Sequence, residues 1–316
     1  RGFEPLLIDA GAVANSIYHY PTGMVFFTTP ERLEIGGHPL TCAGPKPTRE
    51  EALKYYRGVA RAEGLRLRTC TRLASAARGE GRLQCQLDTR QGSETASCDR
   101  LVLATGYFDH PNRLGVPGED LPHVSHYLDE PHGAFGQDVV VIGGKNSAVE
   151  AALQLFRAGA RVTLVYRKAE LPKSVKYWLK PDLENRIQAG EIRARFGAQV
   201  LEVTSRDVRV CLSTGAEERL PADRVYPLIG FHPDFDLFRR IGISFEETTG
   251  RPSLDPDSLE TNVPGVFLAG SVTAGREISE IFIENGRFDG ERIFGDPETR
   301  SRIMEEYRRV KRPVGE

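Results

Sequence analysis

The chain has 316 residues, 40% of them apolar and 27% charged, with a formal net charge of −2. That length exceeds what one hydrophobic core usually serves, so two domains are expected. The near-neutral balance argues against a nucleic-acid or membrane-surface partner, and no run reaches the roughly 18 apolar residues of a membrane span.

In chain order, Arg1-Gly2-Phe3 reads as the end of a helix, and Pro5-Leu6-Leu7-Ile8 reads as a short buried strand. Thr48 to Arg61 reads as a helix, capped by Thr48 with Glu51 closing a capping box. Leu65 to Leu87 alternates well enough for two strands around Gly79 and Gly81. Leu101 to Ala104 is a buried strand ended by Thr105-Gly106, and the turn formers from Pro111 to Gly133 read as a linker. A fresh strand starts at Val139, its helix ends near Gly159, and a second strand runs from Arg161 to Tyr166. Further strands are expected near Val200-Leu201, Val208 to Val210 and Arg224 to Ile229. A second linker, Gly230 to Pro233, leads into the apolar segment Phe235 to Ile241. The chain closes with a buried strand (Val266 to Ala269), a glycine turn, an apolar-faced helix from about Ile278 and a charged surface tail from Arg300.

The five cysteines, 42, 70, 85, 98 and 211, are odd in number and spaced for neither a disulfide framework nor a zinc site. They read as free thiols of a reducing cytoplasm, and no secretory signal is visible. The seven histidines form no metal-spaced pair, so no metal is expected. His126, near the domain junction, reads as structural, and Trp178 as a packing or domain-contact residue.

The strongest local signal is Val139-Val140-Val141-Ile142-Gly143-Gly144-Lys145-Asn146-Ser147-Ala148. A buried strand enters a glycine turn and opens a helix, whose N-terminal amides suit a pyrophosphate. Ala148 stands where a small residue lets helix and strand pack closely. Lys145 replaces the middle glycine of G-x-G-x-x-[GA]; it either pushes the dinucleotide outward or adds a charge to its phosphates. The bland alternative is a strand–helix turn that holds no phosphate. The next strand ends in Arg167-Lys168, with Lys173 close behind and no carboxylate. That pattern suits a ribose 2′-phosphate, so NADPH is favoured over NADH, the alternative being a solvated surface pair. The first unit shows the opposite sign. Leu6-Leu7-Ile8 ends in Asp9, an acid suited to a free 2′-hydroxyl such as that of FAD. The glycine loop of such a unit is expected about 20 residues earlier, upstream of Arg1.

Leu101 to Gly106 resembles the A-T-G segment of two-domain flavoprotein disulfide reductases, and Glu260 to Gly270 resembles their second flavin segment. Within that group the chain resembles the bacillithiol disulfide reductase family. The stretches that carry this are Asn15 to Pro21, Glu31 to Gly37, Gly143 to Ala148 with its Lys145, Lys173 to Lys176, and Glu280 to Arg287. The resemblance implies an α/β protein with two Rossmann-like, three-layer β/β/α dinucleotide-binding domains, arranged as in thioredoxin reductase. It implies an FAD-binding domain over 1–115 and 234–316, lacking its N-terminal strand and loop, and an NADPH-binding domain over 118–232. The implied FAD residues are Asp9, Asn15, Ser16, Thr105, Gly106, Gly270, Ser271, Glu280 and Ile281. The implied NADPH residues are Gly143, Gly144, Lys145, Asn146, Ser147, Arg167, Lys168, Lys173 and Gly230. A helix N-terminus near Ile278–Glu280 would face the flavin ring. Tyr18, Tyr20, Phe26 and Phe27 read either as flavin-lining or as plain core.

Two departures from the wider pattern matter. Thioredoxin reductases place a redox C-x-x-C before the second glycine loop, where this chain has Ser125-His126-Tyr127-Leu128-Asp129-Glu130. A dithiol relay from that position is excluded. Ser271 stands where an aspartate often binds the ribityl chain. No residue is assigned as catalytic. The expected reaction is hydride transfer from NADPH to FAD, then reduction of a small thiol disulfide of the bacillithiol type by a cytoplasmic homo-oligomer. The rival readings are an NADPH reductase of ferredoxin, flavodoxin or a quinone, and a truncated nucleotide-binding protein without flavin activity.

Overall fold

The computed structural model describes residues 3–128 and 130–310. Arg1 and Gly2 of the expected first helix end, Asp129 of the stretch before the second glycine turn, and residues 311–316 of the charged tail lie outside the described residues. The chain gathers into two compact units. One is built mainly from residues up to His19, 23–110 and Phe231 onward, the other mainly from 111–230.

The first unit opens with β1 (Leu7–Ile8), α1 (Asn15–Tyr18), α2 (Arg49–Ala62), β2 (Leu67–Arg68), β3 (Thr71–Arg78), β4 (Leu83–Thr89), β5 (Gly92–Cys98) and β6 (Leu101–Leu103). β1 pairs in parallel with β2, and β3, β4 and β5 form an antiparallel meander. The capping box of α2 is present: the Glu51 N–H donates to Thr48 Oγ1 at 3.2 Å, and the Thr48 N–H donates to Glu51 Oε2 at 2.8 Å. One expectation fails here. Leu6 and Leu7 are 41% and 38% exposed, so β1 is not a buried strand. It pairs along one edge only, in a two-stranded sheet.

The second unit holds β7 (Asp138–Ile142), α3 (Asn146–Arg157), β8 (Arg161–Tyr166), α4 (Lys180–Gln188), β9 (Arg193–Phe196), β10 (Gln199–Val203), β11 (Asp207–Cys211), β12 (Glu217–Pro221) and β13 (Arg224–Pro227). Four strands form a parallel sheet in the order β13-β7-β8-β9. Valine and isoleucine dominate β7 because both faces of this sheet are covered. On one face Val139, Val141, Val162 and Leu164 share a core with Ala148, Ala152 and Leu155 of α3. On the other, Val140, Ile142, Val165 and Val225 pack on Val208, Val210 and Leu220 of the antiparallel sheet β10-β11-β12. Helix, parallel sheet and antiparallel sheet make the three layers. The sequence reading missed β5, α4, β9 and β12.

The chain then returns to the first unit with α5 (Phe235–Ile241), β14 (Val266–Leu268), α6 (Ile283–Gly286), α7 (Asp289–Phe294) and α8 (Pro297–Val310). β14 pairs in parallel with β6, and Phe238 and Ile241 of α5 share a core with Leu83, Leu87, Leu103 and Leu268. The tail expected to lie on the surface from Arg300 is part of α8, which buries Ile303. No helix among the described residues is long and apolar enough to cross a membrane.

Asp138 ties together the starts of three parallel strands. Arg161 donates to both its oxygens, at 3.0 and 2.7 Å, and Arg193 donates at 3.4 Å. The Arg161 hydrogen bonds, with Arg193 adding charge, hold the Asp138 carboxyl below its ordinary range. A carboxylate depressed in the folded state stabilises above its unfolded value, and the benefit is lost as pH falls through its folded value. Asp138→Asn is therefore expected to lower the unfolding midpoint near neutral pH. The gap from the parent should close at acid pH, below the depressed value. A gap that stays constant down to low pH would rule this out.

Candidate functional site

In the second unit the chemistry-bearing residues collect at the carboxyl edge of the parallel sheet, where ligands of such sheets bind. β7 runs into Gly143 and Gly144, and α3 opens at Asn146. Gly143 has φ +139°, and a Cβ there would lie 2.4 Å from the Leu228 carbonyl oxygen and 2.9 Å from the Ala148 Cβ. A Cβ on Gly144 would lie 2.6 Å from the Tyr166 ring. The turn is thus closed by the Leu228 backbone on one side and the Tyr166 ring on the other, and no larger residue fits. Lys145, at the N-cap, makes no side-chain capping bond, so the first-turn amides of α3 carry no capping side chain there. Lys145 and Ser147 are exposed.

Asn146 has a structural task as well. Its Oδ1 accepts the Lys176 N–H at 2.9 Å, and its Nδ2 donates to the Ser174 carbonyl at 3.5 Å. The loop of Lys173 is thereby pinned against the start of α3. Arg167 and Lys168 leave the end of β8 and, like Lys173, are exposed. Among the described residues, none of these three cations has a carboxylate partner. Gly230 follows β13 at the same edge, and its carbonyl accepts the Asn112 N–H at 2.9 Å. Bare backbone, an uncapped helix start and uncommitted cations fit a phosphorylated dinucleotide.

In the first unit Thr105-Gly106 follows β6, and Gly270-Ser271 follows β14, its parallel neighbour. A Cβ on Gly106, at φ +64°, would lie 3.4 Å from Ser271 Oγ, so the two turns meet. Asp9 ends β1; its Oδ1 accepts the Gly11 N–H at 2.8 Å. Burial pushes the Asp9 carboxyl above its ordinary range, and the charge of Asp109 adds to this. The segment after Gly106 therefore lies within electrostatic range of Asp9. Asn15 is committed locally: its Oδ1 accepts the Ala12 N–H at 3.1 Å, and Ser16 lies half-buried in the short helix α1. An acid after β1, together with the paired turns after β6 and β14, fits the adenosine and ribityl parts of a flavin dinucleotide. Of the four aromatics read as core or flavin-lining, Phe26 is buried, while Tyr18 is exposed beneath the Arg49 guanidinium.

The helix expected from Ile278 begins instead at Ile283 and spans four residues. Asn285 sets this start: its Oδ1 accepts the Phe282 N–H at 2.7 Å, and its Nδ2 donates to the Glu280 carbonyl at 2.9 Å. Glu280 lies in a turn and pairs with Arg251, and Ile281 is buried. The expected helix dipole at 278–280 is therefore absent. After β14 the chain enters a short 3-10 helix, Gly270–Ala274.

Two residues that sequence reasoning missed hold the Gly270 turn, and a third, Arg287, braces a separate segment. Asp289 Oδ2 accepts the Gly270 N–H at 2.8 Å, and Arg292 pairs with Asp289 at 3.1 Å. Both are buried. Opposite charges three apart on a helix look in sequence like any solvated pair, and only the flanking Phe288, Ile293 and Phe294 hint at burial. Arg287 donates to the carbonyls of Glu31 and Glu34, at 2.9 Å each. It joins two of the stretches on which the family resemblance rests. Arg287→Ala removes both hydrogen bonds from a charged donor, one of them part-buried, and is expected to cost about 1.5–3 kcal/mol. Chemical denaturation checks this; an unchanged midpoint would contradict it.

The cysteines at 85 and 98 bring their sulfurs to 3.8 Å on neighbouring strands. Burial, then the neighbouring Cys98 thiol, push the Cys85 thiol up to about 12. Cys85 therefore stays a thiol at neutral pH and is a poor nucleophile.

The pyridine nucleotide-disulphide oxidoreductase family profile matches residues 1–270. The chain is 43% identical to the bacilliredoxin reductase Bdr of Bacillus subtilis (strain 168) over 294 residues, 92% of this chain and 89% of that protein. It superposes on the bacillithiol disulfide reductase Bdr (YpdA) of Bacillus cereus with a TM-score of 0.91 and 41% identity, over 95% of this chain and 92% of that one. A ferredoxin–NADP reductase of Ignicoccus hospitalis is 29% identical over 282 residues, 86% of this chain and 83% of that protein.

Proposed function

The chain belongs to the pyridine nucleotide-disulphide oxidoreductase family and, within it, to the bacillithiol disulfide reductase (Bdr) group; from that premise we propose that it uses NADPH to reduce a low-molecular-weight disulfide of the bacillithiol type. It is a flavoprotein oxidoreductase that uses FAD and a nicotinamide dinucleotide. When bound, these two supply the hydride donor and its acceptor. The chain's own residues bind and orient. Gly143, Gly144 and the first-turn amides of α3 would take the pyrophosphate, with Lys145 and Ser147 beside it. Arg167, Lys168 and Lys173 would take the 2′-phosphate, and Gly230 would border the other end of the site. Asp9 would accept a hydroxyl of the flavin's adenosine ribose, and Ser271 would donate to its ribityl chain. Thr105, Gly106 and Gly270 would border it with backbone, and Asn15, Ser16, Glu280 and Ile281 would be further contacts.

The observation that carries this reading is the glycine turn at Gly143–Gly144 with uncommitted cations at the end of β8. The test is steady-state oxidation of NADPH by the FAD-loaded protein. Bacillithiol disulfide should accelerate it. If neither that disulfide nor its mixed disulfides do so, the substrate is wrong. A second reading, an NADPH reductase of ferredoxin, flavodoxin or a quinone, is favoured by the lack of cysteine in residues 125–130 and by the ferredoxin–NADP reductase relative. Faster turnover with ferredoxin than with the disulfide would select it.

A further inference from the structure

Trp178 is the single tryptophan of the chain. It is 40% exposed, and Tyr177 beside it is 82% exposed. The two rings stand edge to face, with centroids 4.8 Å apart and planes at 89°. The sequence alone suggested packing for this tryptophan, yet both rings forfeit much of the burial that aromatics normally contribute.

The loop that displays them is firmly held. Val175 and Leu179 flank the pair and sit in the core of the second unit. Between them, the Lys176 N–H donates to Asn146 Oδ1 at 2.9 Å. Asn146 is the first residue of α3, so the aromatic pair is tied to the turn that fits a pyrophosphate. The Lys176 ammonium lies 5.9 Å from the Trp178 ring centroid, and Arg167, Lys168 and Lys173 precede it on the same connection from β8.

That combination has a chemical meaning. A rigid exposed ring offers a flat apolar face, and the cations offer charge to phosphates. An adenine nucleotide carries a flat π-face and phosphates together. The adenosine half of a bound dinucleotide lies toward the strand whose end receives the ribose, which here is β8. We infer that Tyr177 and Trp178 form an aromatic wall of the NADPH site, with Trp178 stacking on the adenine by the face opposite the Lys176 ammonium and Lys173 facing its phosphates. This deepens the NADPH reading given above and rests on it. A second protein chain on the same rings is the competing occupant.

The single tryptophan is its own reporter. The FAD-loaded protein is titrated with 2′,5′-ADP and, separately, with nicotinamide mononucleotide, while tryptophan emission is read and binding is measured by calorimetry. Saturable quenching by 2′,5′-ADP, with none from the mononucleotide, is expected. Trp178→Ala should weaken 2′,5′-ADP binding about tenfold, and Trp178→Phe should restore most of it, as stacking of a base on an aromatic ring implies. The unfolding midpoint of both variants should match the parent. If 2′,5′-ADP binds without changing the emission and Trp178→Ala binds it equally well, the wall is refuted while NADPH binding stands. If 2′,5′-ADP does not bind at all, both fall.

Discussion

Replacing Arg167 and Lys168 together by alanine is expected to lower kcat/KM for NADPH about a hundredfold, and to leave kcat/KM for NADH within a few-fold. Both side chains are exposed at the end of β8, and neither has a carboxylate partner among the described residues. They are therefore free to meet a 2′-phosphate without first breaking an ion pair. A hydrogen bond to a charged group contributes about 1.5–3 kcal/mol, so two such contacts amount to about 3–6 kcal/mol. At about 1.4 kcal/mol per tenfold, the lower end of that range corresponds to a hundredfold. The lower end is chosen because exposed charges are screened by water and salt. For the same reason, added salt should weaken NADPH use more than NADH use. Steady-state kinetics with an artificial acceptor measures both coenzymes independently of the physiological substrate. Equal losses for the two would mean that the cations do not read the 2′-phosphate.

The largest effect on stability is expected at Asp289. Its carboxylate is buried, accepts the Gly270 N–H at 2.8 Å and pairs with the buried Arg292 at 3.1 Å. Burial pushes its carboxyl above the ordinary range, while the Gly270 amide and Arg292 act in the opposite sense. Asp289→Ala leaves Arg292 as a buried charge without its carboxylate and frees the Gly270 turn. Removing one partner of such a pair costs about 3–5 kcal/mol. Urea unfolding should show that loss, and the variant should shed FAD more readily on gel filtration. Asp289→Ala combined with Arg292→Leu should recover part of the stability, because the unpaired charge is then gone. Full stability and full flavin retention in Asp289→Ala would show that the pair does not hold the turn.

The contrast between these two sites explains what could be read in the sequence. Arg167 and Lys168 stand out in the sequence because a strand ending in cations has a direct electrostatic meaning for a phosphate, and both are exposed at the end of β8. Thr48 and Glu51 were legible because a capping box is local, and both of its hydrogen bonds are present. The Gly143–Ala148 turn was legible because only glycine tolerates the closeness of Leu228 and Tyr166. Asp289 was not, since its partners are a backbone amide 19 residues away and an arginine that looks solvated in sequence. The start of α6 was misplaced because Ile278 fits an apolar helical face, whereas the Asn285 side chain fixes the real start five residues later. The burial of Leu6 and Leu7 was overestimated because composition speaks of a strand but not of what covers it. β9 was missed because Arg193-Ala194-Arg195-Phe196 carries no apolar run. Arg193 and Arg195 instead pair with Asp138 and Glu218.

The flow of electrons from NADPH to a thiol disulfide can be seen in one cuvette. The FAD-loaded protein is mixed with NADPH without oxygen, its visible flavin absorbance is followed, and bacillithiol disulfide is then added. Bleaching by NADPH, followed by return of the colour on adding the disulfide, is the expected result. A flavin band that NADPH leaves intact, or a bleached band that the disulfide fails to restore, would contradict it.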